Sequence, residues 1–330
     1  MTYQSKPPKS RAKWLILLLV SAALLAFIGY KILGSNVRKS DNDTFLYIKT
    51  GATYDQVLQS LKDQDLLKDY WSFNILAKQM QLHNKIKAGK YKLTKGMSNL
   101  AIIRKLRNGQ QDPVKLVINK IRTQDEWITF ISSKIEADTT ALRSYINNDT
   151  FLSNYGLNTA MALGGIIPDT YELWWNTSAK SLYEKLFGYY TKFWNSDRIS
   201  KAKAKGLTPN QVMIIASIVE EETNKTDEKQ DVASVYINRI RKGMKLQADP
   251  TVKFAANDFT IRRITGTHLQ IISPYNTYQV VGLPPGPICT PSKNSVEAVL
   301  NANETNFIFF CIGCKTNKII RNNNLNKLLV

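Results

Sequence analysis

Histidine and cysteine are scarce in this chain of 330 residues, which has two His (His83 and His268) and three Cys (Cys289, Cys311 and Cys314). An odd number of cysteines in a long chain is no disulfide framework. Cys311 and Cys314 form a C-x-x-C, yet no second Cys or His pair stands near it to complete the four ligands of a structural zinc site. A Gly-rich phosphate loop and a G-x-S-x-G are absent, and no cysteine has a suitable histidine partner. Nucleotide and nucleophilic chemistry therefore find no support. Acidic residues are also few: 26 Asp and Glu face 45 Lys and Arg, a formal net charge of +19. Such a balance suits nucleic acid, an anionic membrane surface or an acidic polymer outside the cell, and composition does not choose among them.

Charge is missing altogether from WLILLLVSAALLAFIGY, Trp14 to Tyr30. The run sits at the short end of the transmembrane range and is bracketed by aromatic residues of the kind that favour membrane interfaces. Lys6, Lys9, Arg11 and Lys13 precede it, while Lys31, Arg38 and Lys39 follow. The more basic N-terminal side is expected in the cytoplasm, with the rest of the chain outside. No A-x-A-like cleavage site follows, so an uncleaved anchor is expected rather than a signal peptide. An exterior location also removes nucleic acid from the expected partners. The expected organisation is a basic cytoplasmic tail (1–13), a transmembrane anchor (14–33), a polar linker (34–43), a small module (44–112) and a larger domain (113–330).

Periodicity gives an α+β fold. In the module an alternating strand at Thr44 to Ile48 leads into helices marked by Val57, Leu58 and Leu61, then by Phe73, Leu76, Ala77 and Met80. A strand at Gly89 to Leu93 and a helix at Asn99 to Leu106 complete it. In the larger domain, GGIIPDTYELWWNTS is dense in Gly, Pro and aromatics. Trp174 and Trp175 beside Tyr171, Asp169 and Asn176 fit either ordinary core positions or a platform for sugar rings. LQADPTV, SPYNTY and GLPPGPICTP are turn-rich segments of the kind that carry binding groups.

The segment MIIASIVEEETN raises the chemical question. A helix starting at Thr208 and Pro209 is apolar nearly all round, through Val212, Met213, Ile214, Ile215, Ala216, Ile218 and Val219, and is expected to be buried. It ends in Glu220, Glu221 and Glu222, although a helix C-terminus disfavours negative charge. A solvated helix end is the plain reading. The alternative is a carboxyl group held at a cleft, where desolvation and the helix dipole raise its pKa and let it act as a general acid. Glu222 continues the stripe of Val212, Ile215 and Val219, but the spacing leaves any of the three open. Adjacent Glu residues point to different faces, which disfavours a metal site with Asp227 and Asp249.

IASIVEEETN, DVASVYINRIRKGMKLQADPTVKF and SPYNTYQVVGLPPGPI, in that order, closely resemble the endolytic murein transglycosylases, the YceG-like family. The resemblance covers nearly the whole chain, including a LysM-like module around AGKYKLTKGMS and the IPDTYE loop. It implies a buried helix carrying the catalytic glutamate within a mixed α+β domain. The family's Glu-x-Glu-Thr maps onto Glu220 to Thr223 and places the catalytic acid directly before Thr, at Glu222. Glu220, Asn238, Gln247, Asp249, Tyr275, Asn276 and Tyr278 stand in family motifs and are the implied substrate-binding residues, with no metal and no cofactor.

The implied reaction cleaves peptidoglycan glycan strands between N-acetylmuramic acid and N-acetylglucosamine, leaving 1,6-anhydro-muramyl ends. The implied setting is the plasma membrane, spanned once, with the catalytic domain outside and in contact with cell-wall synthases. A non-catalytic, membrane-anchored peptidoglycan-binding or scaffold protein is the alternative. Two departures from the family pattern stand out. VINKIRT lacks a Glu-Gly pair at a strand exit, and the C-terminal CIGCKTNKIIRNNNLNKLLV has no His where the family carries a His-Asn pair.

Overall fold

The computed structural model describes residues 11–38, 44–311 and 320–322, so Cys314 and most of the His-free C-terminal tail lie outside the described residues. By contacts the chain divides into two units, Met1–Val114 with Trp174–Asn176, and Lys115–Leu173 with Thr177–Val330.

The first unit opens on α1 (Arg11–Leu33), whose apolar side chains from Trp14 to Phe27 are exposed. Lys13–Leu33 is the one segment among the described residues that is helical, long and apolar enough to cross a membrane. Then come β1 (Thr44–Ile48), α2 (Tyr54–Asp63), α3 (Tyr70–Gln79), β2 (Gly89–Leu93) and α4 (Asn99–Asn108). The strands pair antiparallel, Thr44 opposite Leu93 and Ile48 opposite Gly89. Local chemistry explains the helix ends. Thr53 and Gln56 form a reciprocal capping box, while Asp69 and Ser98 cap α3 and α4 through their side-chain oxygens. Gly109 stops α4 in the left-handed conformation that only glycine adopts freely. Leu46, Ile48, Leu61, Phe73, Tyr91 and Ile103 are among the buried residues of the unit's core.

The described residues after α1 are not slack. Ser35 and Val37 bridge to Ser98 and Leu67, and the Asn36 side chain bonds both the N–H and the carbonyl of Asp69. The segment expected as a polar linker thus begins with Asn36 and Val37 buried and paired to the 66–69 turn.

From the second residue of β3 (Val114–Val117) onward, the second unit contains α5 (Gln124–Ser132), α6 (Thr139–Ile146), α7 (Asp149–Ser153), β4 (Thr170–Leu173), α8 (Ala179–Phe193), α9 (Ser196–Ala204), α10 (Pro209–Glu222), α11 (Lys229–Arg241), α12 (Asp249–Ala255), α13 (Gly266–Leu269), α14 (Lys293–Leu300), β5 (Phe309–Cys311) and β6 (Ile320–Asn322). β3 pairs with β4 and β5 with β6. At the centre lies α10, packed against α11, α12 and α14, with every residue from Val212 to Val219 buried. Its start is fixed by a Thr208–Gln211 capping box with Pro209 at the first position.

Two devices seat the 282–290 loop on α10. Ser217 donates to the Ile214 carbonyl (2.7 Å) and accepts from the Ile288 N–H (3.0 Å), which satisfies a hydroxyl deep in an apolar helix. Gly286 approaches the Ala160 carbonyl so closely that any Cβ there would overlap it. Cys289 is buried at this seam, and Thr290 exchanges hydrogen bonds with Ile121.

Candidate active site

The three acids that end α10 meet three different environments. Glu220 faces α11 and α14, where its Oε2 accepts from the Lys229 ammonium at 3.0 Å, the Ser292 hydroxyl at 2.6 Å and the Ser295 hydroxyl. Burial pushes its carboxyl up, but the bonds from Ser292, Ser295 and Lys229 together outweigh burial and hold it below the usual range. Lys229 is itself buried and also donates to Ser295. Glu221 turns the other way. It receives a two-pronged bond from the Arg122 guanidinium, Nε to Oε1 at 2.9 Å and Nη2 to Oε2 at 3.0 Å, with Lys120 at 3.1 Å.

Glu222 keeps the company of a tyrosine instead of a cation. The Tyr236 hydroxyl on α11 donates to its Oε1 at 2.6 Å. Burial is the largest influence and, with the nearby charge of Asp249, pushes the carboxyl up to about 7. The Tyr236 bond and the charges of Lys253 and Arg239 pull against that rise without cancelling it. Near neutral pH this carboxyl is therefore divided between its acid and its carboxylate, the condition for giving up a proton and taking one back. The segment's puzzle is resolved in these terms: two acids are tied down by partners, and the third is desolvated.

Of the residues singled out in the sequence, Asp249 and Tyr278 are near enough to Glu222 to interact with it, while Gln247, Tyr275 and Asn276 shape the segments that carry them. Asp249, at the start of α12, accepts from the Tyr278 hydroxyl at 2.6 Å; its charge raises Glu222, and Glu222 in turn raises Tyr278. Gln247 sits just before α12 with φ of 48°, a left-handed conformation uncommon for a residue with a Cβ, and its N–H bonds the Thr277 carbonyl. Tyr275 packs against Phe254 with ring centroids 4.7 Å apart. Asn276 is fully buried and holds its own loop, donating to the carbonyls of Leu269 and Ile271 and accepting from the Tyr278 N–H. It shapes the loop that presents Tyr278.

Two others are placed elsewhere. Glu220 lines a cavity of about 350 Å³ with Asn119, Asp169 and Thr290. Asn238 lines another of about 340 Å³ with Lys205, Arg241 and Thr305, and its amide donates to the carbonyls of Thr305 and Phe307. Glu222 borders neither cavity. The aromatic loop also divides. Trp174–Asn176 groups with the first unit, where Trp175 meets Tyr47 edge-on, while Asp169 bonds Lys293 and Tyr189 in the second. Among the described residues no three His, Cys, Asp or Glu gather as a metal would require.

Sequence reasoning missed two contributors. Tyr236 reads as one more inward-facing residue of α11, and nothing in its spacing tells that its hydroxyl reaches a carboxyl. Arg239, three residues on, is buried; it donates to the carbonyls of Ile308 (2.7 Å) and Leu246 (2.6 Å) and lies over the Phe309 ring. The signal was a Tyr and an Arg at i, i+3 on an otherwise buried helix face.

A model of the YceG-like family matches residues 46–325. The chain is 27% identical to the endolytic murein transglycosylase of Streptococcus pneumoniae D39, an alignment that covers 94% of this chain and 63% of the relative. It thus spans less than two thirds of that protein's length. With the endolytic murein transglycosylase of Bacillus subtilis 168 it shares 29% identity, over 86% of this chain and 83% of the relative. Among solved structures, a YceG-like protein from Listeria monocytogenes superposes with a TM-score of 0.60 at 25% identity, covering 88% of this chain and 99% of that one.

Proposed function

The chain belongs to the YceG-like family, and on that premise we propose that it is an endolytic peptidoglycan transglycosylase in which Glu222 acts first as acid and then as base. The observation that carries this reading is the Glu222 carboxyl itself, desolvated, bonded to Tyr236 and raised to about 7 beside two acids that are paired with cations. The substrate class comes from the family and from the pneumococcal and Bacillus relatives named endolytic murein transglycosylases.

In the reaction, protonated Glu222 gives its proton to the oxygen joining N-acetylmuramic acid to N-acetylglucosamine, and the bond from that oxygen to the muramyl C1 breaks. The muramyl 6-hydroxyl then closes on C1, and its proton passes to the Glu222 carboxylate. Glu222 ends as it began, and the new end is a 1,6-anhydro ring. Because the attacking hydroxyl belongs to the sugar, proximity stands in for the second carboxylate that hydrolytic glycosidases use to activate water or to attack. Tyr236 stabilises the carboxylate formed midway, and Tyr278 with Asp249 offers hydroxyl and carboxylate contacts to the sugar. The general basic balance suits an anionic polymer.

In this reading α1 anchors the chain in the plasma membrane, with its basic N-terminal side in the cytoplasm, the catalytic unit outside, and the LysM-like module positioning glycan near the synthases that make it. The test is digestion of purified peptidoglycan by the full chain in detergent, with the muro-oligosaccharide ends read by mass spectrometry. Anhydro ends from the wild type and none from Glu222→Gln are expected. Reducing ends would mean hydrolysis and would overturn the single-carboxyl mechanism. A folded wild type that yields no products would leave the scaffold reading in its place.

A further inference from the structure

The last turn of α1 is built into the small module. Ile32 packs against its core, the Lys31 ammonium pairs with Asp69, and the Lys31 carbonyl accepts from the Asn99 amide at 2.9 Å. Asp69 is in turn the N-cap of α3. Helix α3 buries Ser72, Phe73, Leu76 and Ala77, yet leaves Trp71 70% exposed and, one turn on, Ile75 42% exposed. Lys68 and Lys78 flank this apolar pair and are exposed as well.

Single exposed apolar residues need no explanation; the location of this pair does. Lys13–Leu33 is 21 residues long, and at the α-helical rise it measures about 31 Å, the thickness of the hydrocarbon core. A span of that length puts Leu33 at the membrane boundary with no chain to spare. Asp69 is held to Lys31, and Trp71 is two residues away, so its Cα lies within about 7 Å of the Asp69 Cα. The polar layer on each side of the hydrocarbon is roughly 5–8 Å deep. Helix α3 packs directly against α1, so an indole on its exposed edge is within reach of that layer, and tryptophan favours it because its ring is apolar and its N–H is not. Lys68 and Lys78 can hold their ammonium groups in the headgroups while their stems lie along the apolar edge.

We infer that the Trp71–Ile75 edge of α3 lies in the headgroup layer of the bilayer that α1 spans, a second membrane contact that fixes the small module on the membrane surface. This rests on the reading of α1 as a membrane span. The contact makes the anchor a seat: the module is held at one height and one tilt instead of swinging on a tether.

The test uses the full chain in nanodiscs of phosphatidylcholine and phosphatidylglycerol (3:1), with acyl chains either plain or brominated close to the headgroup. Tryptophan emission is recorded for the wild type, Trp71→Phe and Trp14→Phe, and each difference from the wild type isolates one indole. Both changes fall on exposed side chains and leave the fold intact. The emission of Trp71 is expected to drop by half or more on bromination, as that of Trp14 does. If Trp14 is quenched and Trp71 is not, the anchor stands and the surface contact is overturned. If neither is quenched, the membrane span itself fails and the contact fails with it.

Discussion

Glu220 and Glu222 leave the same helix end two residues apart and meet opposite electrostatics. Around Glu220 the protein has gathered a buried ammonium and two serine hydroxyls, so the charged form is the favoured one. Around Glu222 it has gathered a tyrosine and a second carboxylate, and burial outweighs the hydrogen bond, so the charged form is penalised. Identical side chains thus become a structural tie and a desolvated acid. The difference lies in what each helix face packs against, and it shows how adjacent acids divide labour without any change of residue type.

If Glu222 is the acid proposed, breaking its side of the contrast should have the largest effect. Glu222→Gln keeps the shape and the Tyr236 contact but has no proton to give. Formation of anhydro ends is expected to fall by about 10³-fold, within the usual range for loss of a general acid, while the circular dichroism spectrum is unchanged. On the structural side, Glu220→Ala takes the carboxylate from the buried Lys229 ammonium and leaves it the Ser295 hydroxyl alone. Removing one partner of a buried pair costs about 3–5 kcal/mol, and urea melts should show a loss of that order. A loss under about 1 kcal/mol would mean that the pair behaves as a solvated surface contact.

The two acids also predict opposite slopes of stability with pH. Glu222 has a folded pKa raised from 4.5 to about 7. Its contribution is fully present below the unfolded value and is lost as pH rises through the folded one. Stability should decline by on the order of 2–3 kcal/mol across that window, and Glu222→Gln should flatten the decline. Glu220 has a lowered folded pKa, so its contribution is present above the unfolded value and is lost as pH falls through the folded one; Glu220→Gln should soften the acid limb.

A finer cut at the comparison is Tyr236→Phe. Removing a donor to the carboxylate raises the Glu222 pKa further, so the basic limb of the activity profile should move to higher pH. The rate should fall about tenfold, the equivalent of roughly 1.4 kcal/mol. A rate loss with an unmoved limb would make Tyr236 a packing residue alone. Smallest is the third acid: Arg122→Gln removes a two-pronged but partly exposed pair with Glu221 and should cost about 1 kcal/mol.

The same contrast explains what could be read in advance. Local rules suffice where local chemistry decides. Thr53 with Gln56 and Thr208 with Gln211 announce helix starts, Gly109 announces a stop, and the apolar wrap of Val212 to Val219 announces a buried helix. The fate of the three acids depends on residues far along the chain. Glu220 takes partners from Ser292 and Ser295, Glu221 from Arg122, and the Asp249–Tyr278 bond joins two separate segments. Periodicity placed Glu222 on the Val212 stripe but is silent on who comes to meet it. It is equally silent on Asn238, whose motif position resembles a substrate contact and whose amide holds the 305–307 segment.

Of the three acids only Glu222 is pushed up to about 7. Infrared difference spectra of the folded protein, titrated across that value, observe the carbonyl stretch of a protonated carboxyl directly. A band that titrates near pH 7, vanishes in Glu222→Gln and survives in Glu220→Gln is the predicted result. A protonated carboxyl that belongs to Glu220, or none above about pH 5 where free glutamates have already ionised, would contradict it.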